Sequence, residues 1–245
     1  MKYYGIIGYP LTHSFSQQYF NQKFQQLVIP DCRYESFPIR SVGEIQNLVK
    51  HNPDLAGLNV TIPYKKQVLG YLTDRSQIPA GLEACNCIKI KKGQLTGYNT
   101  DITGLEKSLL PLLKKQHNRA LILGNGGAAA AVKFVLQKLK ISYIIVSRNI
   151  HDDSTLTYAD LNGKIISENA LIINTTPLGT FPNVEACPQI PYQFLGPEHL
   201  LYDLVYNPDK TLFQQKGEWQ GALIKNGKEM LIIQAEESWK IWNHD

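Results

Sequence analysis

Residues 118–146 constrain the fold more than any other stretch. Ala120 to Leu123 form a short apolar run, and Gly124-Asn125-Gly126-Gly127 follows it directly. An alanine-rich helical segment then runs to about residue 140, and Tyr143–Val146 reads as a second strand. Two strands joined through a helix lie parallel, and a parallel sheet is covered by helices on its faces. The expected class is therefore α/β. Read as G-x-G-x-x-A, Gly124 to Ala129 match the dinucleotide-binding fingerprint with alanine in the last position. Glycine allows the tight turn and lets the backbone approach a pyrophosphate, while the helix N-terminus offers free N–H groups. Gly124, Asn125, Gly126, Gly127 and Ala128 are candidate cofactor contacts on this reading. A plain tight turn is the competing one.

The second strand runs into Ser147-Arg148-Asn149. An acidic side chain here would hold the ribose 2′-hydroxyl of NAD, whereas arginine suits the 2′-phosphate of NADP. Asp152 and Asp153 follow, and a short acidic loop is their plainer reading. A short helical region and a strand at 170–174 lead to the turn Asn174-Thr175-Thr176-Pro177-Leu178-Gly179. Another strand, Leu200–Val205, precedes Tyr206-Asn207-Pro208. Both turns follow apolar strands, at the end where open α/β sheets bind ligands.

Ahead of this unit, strands again alternate with helices. Strands are expected at 2–8, 33–37 and 55–61, and helices at about 17–27, 41–50 and 64–72. Ser14 and Ser16 stand where the first loop becomes a helix. They suit helix capping, or two hydroxyls facing a ligand. In Gly57-Leu58-Asn59-Val60-Thr61-Ile62-Pro63-Tyr64-Lys65, apolar Val60 and Ile62 alternate with Asn59 and Thr61. That period of two turns one pair to a core and leaves an amide and a hydroxyl for a polyhydroxylated ligand. Lys65 then opens the expected helix. Over a closed polar pocket it would donate a proton to a developing alkoxide; a solvated lysine after a turn is the alternative. A strand ending at Ile90, a turn at Lys92-Gly93 and a strand at Gln94–Tyr98 make a hairpin that delivers Asn99-Thr100-Asp101 to a strand end. Asn86 and Asp101 fit turns, yet an aspartate beside Lys65 would hold its ammonium in place. Helical patterns cover about 102–115 and, after the turn Asn226-Gly227, Lys228–Trp242. Gln234, in the middle of the latter, reads by itself as a surface residue.

A length of 245 residues suits one large domain or two small ones. The hydrophobic fraction of 43% argues against disorder. Net charge is +4 with signs mixed and no run of five basic residues, which speaks against nucleic-acid binding. No apolar stretch approaches a membrane span and the N-terminal residues lack a signal-peptide core, so a cytoplasmic protein is expected. The four cysteines include a single C-x-C, Cys85 and Cys87, without metal-ligand spacing; reduced structural thiols and no metal are expected.

Assembled in order, Ser14-x-Ser16, Gly57 to Lys65, Asn86, Asn99-Thr100-Asp101, the glycine turn, Val205-Tyr206-Asn207-Pro208 and Gly227-x-x-Met230-Leu231-x-x-Gln234-Ala235 resemble the shikimate dehydrogenases over nearly the whole chain. The resemblance implies a substrate pocket of Ser14, Ser16, Asn59, Thr61, Lys65, Asn86, Asp101, Tyr206 and Gln234, with Lys65 catalytic and Asp101 its partner. Cofactor contacts would come from the glycine turn, Ser147, Arg148, Thr175, Thr176, Pro177, Leu204, Gly227 and Met230. Ile102 stands where the family usually has glycine, Cys87 where it has threonine, and Ser147 and Asn149 flank Arg148 in place of asparagine and threonine.

The resemblance further implies an N-terminal α/β substrate domain with a mixed sheet, residues 1–101 completed by a returning C-terminal helix at 228–245. A Rossmann-like NADP-binding domain, 102–227, would complete a cleft whose closure excludes water. The implied reaction is reversible reduction of 3-dehydroshikimate to shikimate by NADPH, in the shikimate pathway, by a monomer or homodimer. One rival is a quinate/shikimate dehydrogenase using NAD; serine at 16 and Arg148 speak for shikimate and NADP instead. A non-catalytic NADP sensor is a second, and Lys65 with Asp101 speaks against it. A methylene-folate dehydrogenase, the third, finds no pterin pocket in these motifs.

Overall fold

The computed structural model describes residues 2–11, 14–148 and 155–244. Asn149, Asp152 and Asp153 lie outside the described residues. In chain order the elements are β1 (Lys2–Gly8), α1 (Phe15–Gln26), β2 (Cys32–Pro38), α2 (Glu44–His51), β3 (Leu55–Val60), β4 (Cys87–Lys91), β5 (Gln94–Tyr98) and α3 (Asp101–Leu109). They continue with β6 (Arg119–Leu123), α4 (Gly127–Lys138), β7 (Ser142–Val146), β8 (Thr155–Leu156), α5 (Gly163–Glu168), β9 (Leu171–Asn174), β10 (Leu200–Asp203), α6 (Leu212–Trp219), β11 (Leu223–Lys225) and α7 (Lys228–Asn243). The chain divides into two compact units, Met1–Thr103 with Gln234–Asp245, and Gly104–Ile233.

The first unit is built on a five-stranded mixed sheet in the order β2-β1-β3-β4-β5. β1 pairs in parallel with β2 and β3, and β4 returns antiparallel to form the hairpin with β5. Side chains along a strand alternate between the two faces. Tyr3 and Ile7 accordingly join Leu58, Val60 and Ile45 of α2 on one face. Tyr4 and Ile6 join Phe20 and Phe24 of α1 and Ala235 and Trp242 of α7 on the other. Trp242 stacks on Tyr4 with ring centroids 4.9 Å apart, and its Nε1 donates to Ile88 O at 3.0 Å. That indole lies directly over Gly57, where an added Cβ would sit 2.3 Å from Nε1. Gly57→Ala is expected to cost about 1–3 kcal/mol through overpacking. Urea unfolding reads this as a lower midpoint with unchanged slope.

Three expectations need correction here. The stretch 64–72 is not an α-helix but a turn followed by a short 3₁₀ helix, Gln67–Tyr71; it carries Gly70, a poor helix former. Ile62 does not share the core face with Val60: β3 ends at Val60, Tyr64 N bonds Thr61 O at 2.9 Å, and Ile62 is 69% exposed. The chain has turned there, so the alternation stops. The helix expected to run to about 115 ends at Leu109 and tightens into 3₁₀ geometry over Leu110–Leu112, because Pro111 has no N–H to continue the ladder.

The second unit holds a six-stranded, wholly parallel sheet in the order β11-β10-β9-β6-β7-β8. Its central strands are buried on both faces: Leu121, Ile122, Leu123, Ile172, Ile173 and Leu201 have no exposed surface. The chain starts in the middle at β6, moves outward through β7 to β8, then crosses to β9 and outward again. That is the doubly wound order, with its switch point between β6 and β9. β8, β11 and α6 were not anticipated. The two strands are only two and three residues long. α6 carries a legible start, the Thr211/Gln214 capping box.

Candidate active site

Lys65 follows the turn after β3, and Asp101 opens α3 just after β5. Lys65 Nζ donates to Asp101 Oδ2 at 2.7 Å, with the two side chains 19% and 11% exposed. The pair is thus shielded without being sealed. Asp101 Oδ1 accepts from Asn86 Nδ2 at 2.8 Å, so both carboxylate oxygens are held. Asn86 is itself oriented by Thr100 N, which donates to Asn86 Oδ1 at 2.7 Å. Gln234 is buried, a correction to its reading as a surface residue. Its Oε1 accepts from Thr100 Oγ1 at 3.3 Å and from Asn86 Nδ2 at 3.4 Å.

Asn59 is buried, and its amide is committed within the unit. Oδ1 accepts from Tyr34 OH at 2.7 Å, while Nδ2 donates to Ser238 Oγ at 3.0 Å and to Asn86 O at 3.3 Å. Ser238 Oγ lies 3.2 Å from Thr100 Oγ1 and closes the network. Tyr34, Thr100 and Ser238 escaped the sequence reading as site residues. A signal existed for Ser238, which follows Gln234 by one helical turn and so shares its face. Ser14 Oγ accepts from Gln17 N at 3.2 Å and caps α1. Ser16 is buried beside Tyr34, whose phenol pKa burial pushes well up and the serine hydroxyl lowers in part. Lys23 Nζ, 2.6 Å from Glu236 Oε1, ties α1 to α7. Thr61 is half-buried at the end of β3. Cys87 packs among Phe20, Tyr34 and Trp242, and Ile102 is buried in α3. Burial pushes the Cys85 thiol up to about 12 and raises that of Cys87 too, so neither is a nucleophile at neutral pH.

In the second unit the glycine turn lies at the C-terminal end of β6. Gly124 has φ +102°, and a Cβ there would meet Thr175 Oγ1 at 2.8 Å and Thr176 Cγ2 at 2.9 Å. Conformation and space both demand glycine. Gly126 caps α4, and neither it nor Gly127 has a neighbour within 4 Å of an added Cβ, which leaves the helix N-terminus open to a ligand. Asn125 Oδ1 accepts from Lys133 Nζ at 2.8 Å; Ala128 lies in the first turn of α4. Thr175 N and Oγ1 both donate to Leu123 O, at 2.9 and 2.8 Å. Leu204 N donates to Asn174 O at 3.0 Å, and Gly227 packs so closely that an added Cβ would be 2.2 Å from Leu204 O.

Gly124, Thr175, Thr176, Leu204 and Gly227 are therefore adjoining. Ser147 and Arg148 follow β7, whose last residue Val146 accepts from Gly124 N at 2.8 Å; Arg148 is exposed. Pro177 is exposed, Met230 buried, and Tyr206 half-buried with its pKa raised by burial. Beneath the turns, Asp203 has no exposed surface, and burial pushes its carboxyl up to about 6 against hydrogen bonds that lower it.

Residues 6–88 match the family model of the shikimate dehydrogenase substrate binding domain. A shikimate dehydrogenase (NADP(+)) of Desulforamulus reducens is 33% identical across 97% of this chain and 88% of its own length. The chain belongs to the shikimate dehydrogenase family. A crystal structure of a shikimate dehydrogenase in complex with NADP+ aligns with a TM-score of 0.86 at 28% identity, covering 99% of this chain and 90% of that one. A shikimate 5-dehydrogenase from Listeria monocytogenes, in complex with shikimate and NAD, aligns at TM-score 0.86 and 26% identity, covering 100% and 92%. Family members thus share the two-unit α/β architecture described above. Among the described residues no helix is long and apolar enough to cross a membrane.

Proposed function

We propose that this member of the family reduces 3-dehydroshikimate reversibly to shikimate with NADPH, with the first unit binding substrate and the second the cofactor. The observation that carries the reading is the Lys65–Asp101 pair, 2.7 Å apart and shielded, inside a network of amides and hydroxyls suited to a polyhydroxylated acid. NADPH supplies the hydride when bound. Its fit rests on the open N-terminus of α4 and on the closely packed Gly124. An ammonium has three donors. Asp101 takes one, and Lys65 can direct another at the oxygen of the reacting carbonyl, stabilise the developing alkoxide and pass it a proton. In the reverse direction neutral Lys65 takes that proton back. Asp101, gripped through both oxygens, fixes the position of Nζ throughout. Ser14, Ser16, Thr61, Asn86, Tyr206 and Gln234 are the proposed substrate contacts. Arg148 is the proposed partner of the 2′-phosphate. The cytoplasm is the proposed compartment, in keeping with four free thiols.

The test is nicotinamide absorbance on mixing purified protein with shikimate and NADP, with quinate and NAD as parallel arms. Rapid NADPH formation from shikimate and NADP is expected. Turnover chiefly with quinate or NAD would move the chain to the rival dehydrogenase. Cofactor binding without turnover on any pair would favour a sensor.

A further inference from the structure

Among the described residues Asp203 is the one carboxylate with no exposed surface. A buried carboxylate is costly unless its oxygens are hydrogen-bonded. Here they are, by donors from three separate places. Asn174 Nδ2, at the last residue of β9, donates to Oδ1 at 2.9 Å. Val205 N, in the turn after β10, donates to the same oxygen at 3.0 Å. Thr211 Oγ1, the N-cap of α6, donates to Oδ2 at 2.6 Å.

The geometry points to Asp203 as the positioning residue of the cofactor end of the second unit, setting affinity for NADP(H) far more than for substrate. The inference rests on the reading that this unit binds NADP. With its nitrogen turned to the carboxylate, Asn174 must turn its oxygen the other way. That oxygen accepts from Thr176 N at 3.0 Å and Thr176 Oγ1 at 2.6 Å. Thr175, next to it, is pinned to the end of β6, and Gly124 packs on both threonines. On the other side, Val205 is held by Asp203, Leu204 bonds Asn174 O, and Gly227 N donates to Val205 O at 3.1 Å. One carboxylate thereby fixes the glycine turn, the Thr175-Thr176 turn, and the Leu204 and Gly227 approach together. No neutral apolar side chain supplies acceptors on both sides.

The experiment compares Asp203→Ala, Asp203→Asn and Thr211→Val with the wild-type chain. NADPH dissociation constants come from nicotinamide fluorescence, shikimate KM from steady-state rates, and folding from circular dichroism. Asp203→Ala is expected to weaken NADPH binding roughly 10- to 10²-fold, because Asn174, Val205 and Thr211 lose their common acceptor and the turns they hold are released. The shikimate KM should change far less, since Tyr206 alone of the proposed substrate contacts lies beside a residue that Asp203 holds. Asparagine keeps the acceptor for Asn174 and Val205 and meets Thr211 Oγ1 with an N–H, so Asp203→Asn should recover most of the loss. Thr211→Val should give a smaller loss in the same direction, and this decides the matter if the alanine variant does not fold. NADPH binding at the wild-type level in folded Asp203→Ala or in Thr211→Val would overturn the inference. So would equal losses for NADPH and shikimate without recovery by asparagine. A wild-type chain that binds no NADPH at all would overturn the underlying reading of the unit, and this inference with it.

Discussion

Lys65→Ala is expected to lower kcat for shikimate oxidation by about 10²- to 10⁴-fold, the usual contribution of a positioned proton-transfer group. Binding of shikimate should change far less. The reason lies in what Lys65 meets. In the resting protein its partner is Asp101, and its interaction with the reacting oxygen grows only as negative charge develops there. An interaction made mainly in the transition state is lost from kcat and not from the ground-state complex. Its removal also leaves Asp101 Oδ2 without the ammonium, while Oδ1 keeps Asn86. The network through Asn86, Thr100 and Gln234 therefore survives, and the pocket keeps its shape. Steady-state kinetics with shikimate and NADP, alongside direct titration of shikimate, separate the two effects. If kcat and binding fall in parallel, Lys65 is a binding residue and not the acid/base.

Asp203→Asn should stabilise the fold at pH 8 by about 3 kcal/mol and leave it almost unchanged at pH 4. The folded carboxyl is pushed up to about 6 from its ordinary 3.8, chiefly by burial, with the hydrogen bonds from Thr211, Val205 and Asn174 opposing. The titratable side chain that feels its charge is Tyr192, whose own pKa burial, the Cys187 thiol and Asp203 all push up. Because the folded value lies above the unfolded one, the stability this group contributes is fully present below about pH 4. It is lost as the pH rises through about 6. At about 1.4 kcal/mol per unit, holding Asp203 ionised costs the fold about 3 kcal/mol. Asparagine never ionises and escapes that cost. Urea unfolding of both proteins across pH 4 to 8 checks the prediction, and a difference that stays flat over the range would show that Asp203 titrates like an ordinary aspartate.

The parts of the site that could be read from the chain were those with local signatures. The glycine turn between β6 and α4 announces itself through residue type alone, since only glycine fits where Gly124 takes φ +102° against Thr175 and Thr176. Lys65, Asn86 and Asp101 were legible as polar residues closing apolar strands. Ile62 was misread because a period of two says nothing about where a strand stops. The 64–72 stretch has the apolar spacing of a helix, but Gly70 weakens it and the segment closes only a short 3₁₀ helix, Gln67–Tyr71. Residues acting through distant partners left almost no trace. Tyr34 and Ser238 are ordinary strand and helix positions until Asn59 is placed between them.

Local patterning was enough to specify the α/β class, the strand–turn–helix unit and the polar ends of the strands, because side-chain periodicity and glycine's freedom act over a few residues. Which polar groups would be buried together depended on folding. Gln234 reads as a surface residue until α7 lies against the first unit's sheet, and Asp203 reads as a strand end until β9, β10 and α6 close round it. Burial turns both into committed hydrogen-bond partners, since a polar group removed from water must find its acceptor or donor in the protein, and those partners come from segments far apart in the chain.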